Sequence, residues 1–367
     1  MQAALFIGSE IYRRSRYGAK HPLSIPRVSV TIDLCRALGW LPDDLYLDSP
    51  IATPAELERF HSPDYVAAVM AAERAGAVDA ATAARFNIGS AGNPVFPEVF
   101  RRPATACGAS LLAARLLRDG GMVYSPAGGT HHGRPDRASG FCYFNDPVLA
   151  ILAFLDQGLD RVAYVDLDAH HGDGVQDAFH HDARVLTVSI HEQDRWPRSG
   201  ALADRGGGMA RNLPVPAGFN DSEMDFLMAE AVLPLVARFR PQALVVQAGC
   251  DGLAEDPQSG MMLSNGAYRR AVAALKTMAP RLLLLGGGGY NPYAVARCWS
   301  GLWAELRGLE PPERLPPPAE AVLRGLSWNH SRGRNPPESW FTTLADPPNP
   351  GPLRPEIRAA AAAALKD

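Results

Sequence analysis

Short apolar runs alternate along the chain with longer amphipathic or Ala/Leu-rich stretches. The runs are "ALFIG" near the N-terminus, "GMVYSPAGG" at 121–129, "RVAYVDLD" at 161–168, "RVLTVSIH" at 184–191, "ALVVQAG" at 243–249 and "RLLLLGGGG" at 281–289. Helix-like patterns lie between them at 104–119, 146–157, 222–239 and 265–278. This rhythm predicts βα units, and hence an α/β fold with a parallel sheet covered by helices on both faces. In such sheets ligands bind beyond the carboxyl ends of the strands. The four most polar, Gly-rich stretches of the chain each follow one of the runs. From 309 to 355 proline is dense, which predicts an irregular segment wrapping the surface, with Trp328, Trp340 and Phe341 as anchors, before an Ala-rich terminal helix. No internal repeat is present.

Composition narrows the class. With 367 residues, 47% of them hydrophobic and 20% charged, the chain is an ordinary globular sequence long enough for one large α/β domain. Net charge is −3, and the 36 lysines and arginines are scattered, so no electrostatic footprint for nucleic acid is visible. Five cysteines stand far apart without a C-x-x-C pair, the pattern of reduced thiols and not of a disulfide framework or a structural zinc knuckle. The first residues have no leader-like order, and no run of about 18 apolar residues occurs. The expectation is a cytoplasmic protein with neither nucleic acid nor membrane as partner.

The chemistry concentrates at four places. "YVDLDAHHGDGV" at 164–175 crowds three aspartates and two histidines behind an apolar run. In an extended strand Asp166, Asp168 and His170 share a face, where they would repel or be desolvated unless a cation sat among them. A lone Asp or His is more often a cap or a turn; five such residues interleaved with Gly172 and Gly174 point to a metal. "SPAGGTHHGRPDRASGFCYFND" at 125–146 sets His131 and His132 after a strand and a glycine pair. Adjacent histidines alone would be weak evidence, but at the sheet end that carries Asp166 and Asp173 they gain carboxylates able to fix their tautomers and raise their basicity. Asp251, in "VVQAGCDGLAEDP", is the first carboxylate after another run; by itself it would read as an Asx-turn acceptor. "LLLLGGGGYNPY" lets the backbone pass close to a neighbour and ends on Tyr290 before a helix start at Asn291-Pro292. The spacing of a dinucleotide-binding fingerprint is missing. Two aspartates and one histidine leave a coordination position open for water, as catalytic zinc sites do.

Taken together, "HH…SGFCYFND", "DLDAHHGDGV", "AGCDGLAEDP" and "GGGGYN" resemble the histone deacetylase superfamily, within it the class I-like bacterial branch that includes acetoin utilisation proteins. The resemblance runs from "HPLSIPRV" at 21–28 to about residue 330. It implies the arginase/deacetylase fold, a single α/β domain around a central, mostly parallel eight-stranded sheet flanked by helices. Residues 1–330 are then the catalytic domain and 331–367 a Pro-rich extension packed on it. It also implies a zinc-dependent amidohydrolase acting on N-acetyl amines, with Asp168, His170 and Asp251 as metal ligands. His132 backed by Asp173 becomes the general base and acid, His131 backed by Asp166 an electrostatic partner, and Tyr290 the donor to the developing oxyanion. Zn²⁺ is the implied ion, with Fe²⁺ an alternative that an oxygen-rich site accepts. Structural K⁺ is implied at oxygens of Asp166, Asp168, His170, Ser189 and Ile190, with a second site near Phe179, Asp182 and Val185, where Asp182 departs from the usual hydroxyl-bearing residue. Gly140, Phe141, Gly288 and Trp196 match the substrate tunnel, Trp196 replacing a phenylalanine. Arg27 matches the arginine of the family's inner channel; a surface salt bridge is its plainer reading.

Two departures bear on the substrate. Ala91-Gly92 stand where class I members carry an aspartate that grips the peptide backbone, and Gln258 stands where they have an apolar residue and polyamine deacetylases a glutamate. The substrate reading is therefore an acetylated lysine of a peptide or protein, with a small acetylated amine such as an acetylpolyamine as the alternative, and a homo-oligomer is compatible with either. A non-catalytic acyl-lysine binder would need no general base, and a dinuclear manganese hydrolase would need bridging carboxylates that the matched positions lack.

Overall fold

The structure is a computed structural model and describes residues 3–366. Eight strands form one sheet: β1 (Leu5–Gly8), β2 (Tyr46–Asp48), β3 (Gly121–Ser125), β4 (Val162–Asp166), β5 (Val185–Glu192), β6 (Ala210–Val215), β7 (Ala243–Gln247) and β8 (Arg281–Leu285). Their order is β2-β1-β3-β8-β7-β4-β5-β6, and every pairing is parallel. The predicted α/β sheet is thus observed, and it is wholly parallel where a mostly parallel one was expected.

The apolar runs are strands because both faces are covered. Along β4, Ala163 and Val165 join the core on one side of the sheet, while Val162 and Tyr164 join the core on the other. The first side packs against helices that include Val28–Ala37, Asn265–Leu275, Pro292–Arg307 and Pro355–Ala364; the second packs against Arg101–Leu116 and Asp146–Asp156. A strand buried on both faces has no reason to alternate polar with apolar residues, which is why these read as continuous runs.

Three sequence expectations need correction. The two edge strands escaped the reading: β2 has three residues, and β6 ("ARNLPV") carries Arg211, Asn212 and Pro214, polar and proline content that only an edge tolerates. The stretch 222–239 is not one α-helix, since Asp221–Leu227 and Leu233–Phe239 are joined by a π-helical turn at Met228–Val232. Pro234 has no N–H to give the preceding turn, so the ladder resets there. The proline-dense segment is not wholly irregular either, because Pro317–Arg324 forms a helix that uses its prolines at the first turn. Trp340 is buried, its ring 5.4 Å from that of Tyr293.

Candidate active site

The sheet order decides what meets. β7 and β8 insert between β3 and β4, so the segments after β3, β8, β7 and β4 emerge side by side although they are far apart in sequence. They carry His131 and His132, Gly286–Tyr290, Asp251, and Asp168 with His170.

The strand alternation that puts Asp166, Asp168 and His170 on one face is only partly realised, since β4 ends at Asp166. Asp166 Oδ1 accepts from Asp168 N at 3.0 Å and its Oδ2 accepts from His131 Nδ1 at 2.7 Å. Asp168 and His170, now in a loop, turn instead towards Asp251. His170 Nδ1 lies 2.8 Å from Asp251 Oδ2 and 3.2 Å from Asp168 Oδ1, and one donor atom from each of the three falls within 4.8 Å of the others. Both carboxylates are buried, and no lysine or arginine pairs with either among the described residues. Backbone amides complete the cradle: Ala169 N donates to Asp251 and Gly288 N to Asp168. A Cβ at Gly288 would overlap Asp251 Oδ2, so this position requires glycine.

This donor set fits a divalent cation. Two buried carboxylates repel each other, burial and Asp168 push the Asp251 carboxyl upward, and the positive charges that answer them are the imidazoliums of His131 and His170. Burial would lower the pKa of His170, but Asp251 and Asp168 outweigh it and hold it up at about 10. A metal ion would take the place of that proton, with nitrogen and oxygen donors that Zn²⁺ accepts.

The two histidine rings lie 3.9 Å apart between centres, tilted at 50°, and each has its own carboxylate. His132 Nδ1 donates to Asp173 Oδ1 at 2.7 Å. Their environments push them apart: Asp166 and Asp168 overcome burial and hold His131 up at about 9, whereas burial and the neighbouring His131 charge press His132 down to about 3. A paired acid and base set by environment is the usual signature of divided labour. A cation among the three donors would screen part of the field on His131. Tyr290 is nearly buried; burial, then Asp251 and Asp168, raise its phenol well above its ordinary value, so it stays a donor.

Several supporting residues were not found from the sequence. Asp256 is buried; its Oδ2 accepts from Tyr290 N at 2.6 Å and its Oδ1 from Gln258 N at 2.9 Å, so one carboxyl holds both. Its place before Pro257 was the available signal. Arg134 pairs with Asp173 and Asp177 behind His132. Asn145 caps Asp146–Asp156 and donates to the His131 and Gly133 carbonyls, while Asp146 accepts from Gly129 N, Thr130 N and Thr130 Oγ1. These last two explain the "ND" that ends the second motif.

Above the cluster a cavity of about 350 Å³ is walled by Phe141, Gly140 and Trp196, with Tyr290 and Gln258 on its rim. Trp196 is 46% exposed and meets His132 edge-on at 4.6 Å. A Cβ at Gly140 would strike Trp196 and His132. Phe141 has φ +68, a strained value for an aromatic residue, held by Asn93 Oδ1 accepting from its N–H and Tyr17 donating to its carbonyl. Among the described residues Arg27 forms no salt bridge: it donates to Gly287 O at 2.5 Å over the Trp299 ring, beside an inner cavity of about 60 Å³. Of the oxygens assigned to K⁺, Ser189 lies opposite Asp166 in the ladder and contacts His191 Nδ1. Asp182 instead holds Arg184 at 2.7 Å, so its carboxylate is already engaged.

Comparison with known proteins places the chain in a family. A family profile described as "Histone deacetylase domain" matches residues 21–306. The acetoin utilization protein AcuC of Bacillus subtilis (strain 168) is 31% identical over 97% of this chain and 94% of its own. Histone deacetylase 3 of Oryza sativa subsp. japonica is 38% identical over 82% of this chain, which spans 60% of that protein. The crystal structure of an HDAC homolog from Aquifex aeolicus superposes over the whole of both chains with a TM-score of 0.95 at 35% identity, and an HDAC homolog complexed with SAHA does so equally.

Proposed function

The chain belongs to the histone deacetylase family, and from that premise we propose that it is a zinc-dependent deacylase of acyl-lysine side chains in polypeptides, with Asp168, His170 and Asp251 as the metal ligands. The observation that carries this reading is a pair of adjacent histidines, each on its own carboxylate at 2.7 Å, beside a buried three-donor cluster at the foot of an aromatic-walled cavity. A protein that only binds acyl-lysine has no use for such a base. The resemblance of the whole chain to an HDAC homolog solved in complex with SAHA supports a site that takes such a ligand.

Asp168, His170 and Asp251 would hold the divalent ion, which would supply Lewis-acid polarisation of the acyl carbonyl and of the attacking water. His132, neutral because it is buried beside a cationic partner, takes a proton at Nε2, while its Nδ1–H stays on Asp173, itself tied to Arg134. The same nitrogen returns the proton to the departing amine. His131, held protonated by Asp166, keeps positive charge facing the developing negative charge. Tyr290 donates to the carbonyl oxygen as it becomes an oxyanion. Phe141 and Trp196 flank the apolar stem of the lysine and exclude water around it.

The test is hydrolysis of a fluorogenic acetyl-lysine peptide by purified protein before and after chelation. Activity should vanish with chelator and return with Zn²⁺ or Fe²⁺. Turnover indifferent to chelation would remove the metal from the mechanism, and an inactive, metal-replete protein would leave only binding.

A further inference from the structure

We infer, resting on the deacylase reading above, that the substrate lysine has an acidic neighbour in its polypeptide and that Lys20 recognises that neighbour's carboxylate. Three cavities meet at Gln258: the tunnel, a shoulder of about 300 Å³ on one side of its mouth and a shoulder of about 460 Å³ on the other. A small acylated amine would fill the tunnel and leave both shoulders to solvent. Residues flanking an acyl-lysine in an extended chain advance about 3.4 Å each and would lie in them.

The smaller shoulder is a surface of hydrogen-bond donors with no carboxylate in its lining. It lies between the loop 19–25 and the segment 328–330, which falls beyond the part of the chain matched by the family profile. Lys20 is exposed and makes no ion pair among the described residues. Its position is fixed through its neighbour His21, whose Nδ1 accepts from Leu23 N, whose Nε2 donates to Gly92 O, and whose ring stacks on Tyr17 at 4.9 Å. Opposite stand the amides of Gln258 and Asn329. The ring of His330 stacks on Trp328 at 4.7 Å, and its Nδ1 accepts from Arg332 N, which leaves Nε2–H free to donate.

The larger shoulder does not reverse this sign. Glu192 there is buried, gripped by both arms of Arg195 and by Gly260 N, and Arg195 in turn donates to Gln258 O. What is left facing solvent is Arg198 against Asp194, one charge of each sign. The tunnel lining has no carboxylate outside the metal cluster. A polycationic acetylated polyamine would therefore meet an unopposed ammonium on one side of the mouth and no net negative charge on the other, whereas a carboxylate beside the acyl-lysine would be drawn to Lys20.

Three acetyl-lysine peptides identical but for Asp, Asn or Lys beside the acyl-lysine, together with acetylspermidine, decide the matter by kcat/KM at low and high salt. The Asp peptide should exceed the Asn peptide by about fivefold and the Lys peptide by more, with the spread shrinking at high salt, and acetylspermidine should be the poorest substrate. Lys20→Glu should reverse the order of the Asp and Lys peptides. Equal rates on the three peptides, preference for the Lys peptide or for acetylspermidine, or an order that survives Lys20→Glu would overturn the inference while leaving the deacylase reading standing. Failure to hydrolyse any of the peptides would sink both.

Discussion

At the scale of single residues, the site works by fixing each group in one protonation state. Tyr290 is the simplest case, because its phenol has no titration to undergo near neutrality and can only donate. Tyr290→Phe should lower kcat by about 10² to 10³; metal analysis should show the ion still bound, and unchanged turnover would remove the oxyanion role. Gly288 makes the complementary prediction. A methyl there overlaps Asp251 Oδ2, so Gly288→Ala should lose the metal while the far-ultraviolet spectrum stays native. Stoichiometric zinc in that variant would show that Asp251 is not a ligand. Asp256 acts at one remove, through the backbone of Tyr290 and Gln258. Its removal should cost less than the loss of the Tyr290 hydroxyl and should also disturb KM.

At the scale of elements, the loop that carries the two histidines is held from outside by His61. This buried ring follows the short helix Pro54–Leu57; its Nδ1 donates to Arg134 O and its Nε2 accepts from Asn145 N. Burial lowers its pKa to about 4, against an ordinary value near 6.5. The unfolded chain therefore takes up the proton first as pH falls. His61 contributes its full stability above about pH 6.5, loses it on the way down to about pH 4, and changes no further below, a total of about 3 kcal/mol. The difference in thermal stability between wild type and His61→Gln should bend in that window, and a flat difference would mean that the ring is not held neutral. The terminal helix Pro355–Ala364 is a packed element of the same kind, seated on the sheet by fully buried Ile357 and by Arg354, which donates to buried Glu223 at 2.6 and 2.7 Å. Ile357→Ala should cost about 2–5 kcal/mol in denaturant unfolding; a loss under 1 kcal/mol would make the helix an appendage.

At the scale of the whole molecule, the three-donor cluster couples metal to fold, since two buried carboxylates without a lysine or arginine partner weigh against the native state until a cation joins them. Zn²⁺ at 100 times its Kd should add about 2.7 kcal/mol, seen as a rising Tm that Asp251→Ala abolishes; a Tm indifferent to zinc would count against the site. The interior strands and the chemistry at their ends were legible in the sequence, because a strand covered on both faces must be a continuous apolar run and the groups that follow it are too polar to be buried without a task. Edge strands β2 and β6 were not, since an edge tolerates the polar residues and proline that hide it, and Asp256, Arg134 and His61 were not, since each acts through a backbone atom or a carboxylate remote in sequence. Local periodicity thus pointed to the α/β class on its own, whereas the choice of Asp168, His170 and Asp251 came from the resemblance of the motifs. Only the tertiary structure decided that β7 and β8 lie between β3 and β4, that Asp166 turns to His131 while Asp168 turns to Asp251, and that one histidine of an adjacent pair is held protonated and the other neutral. Strand order follows from long-range packing, and protonation follows from burial and neighbouring charge, neither of which a linear pattern contains.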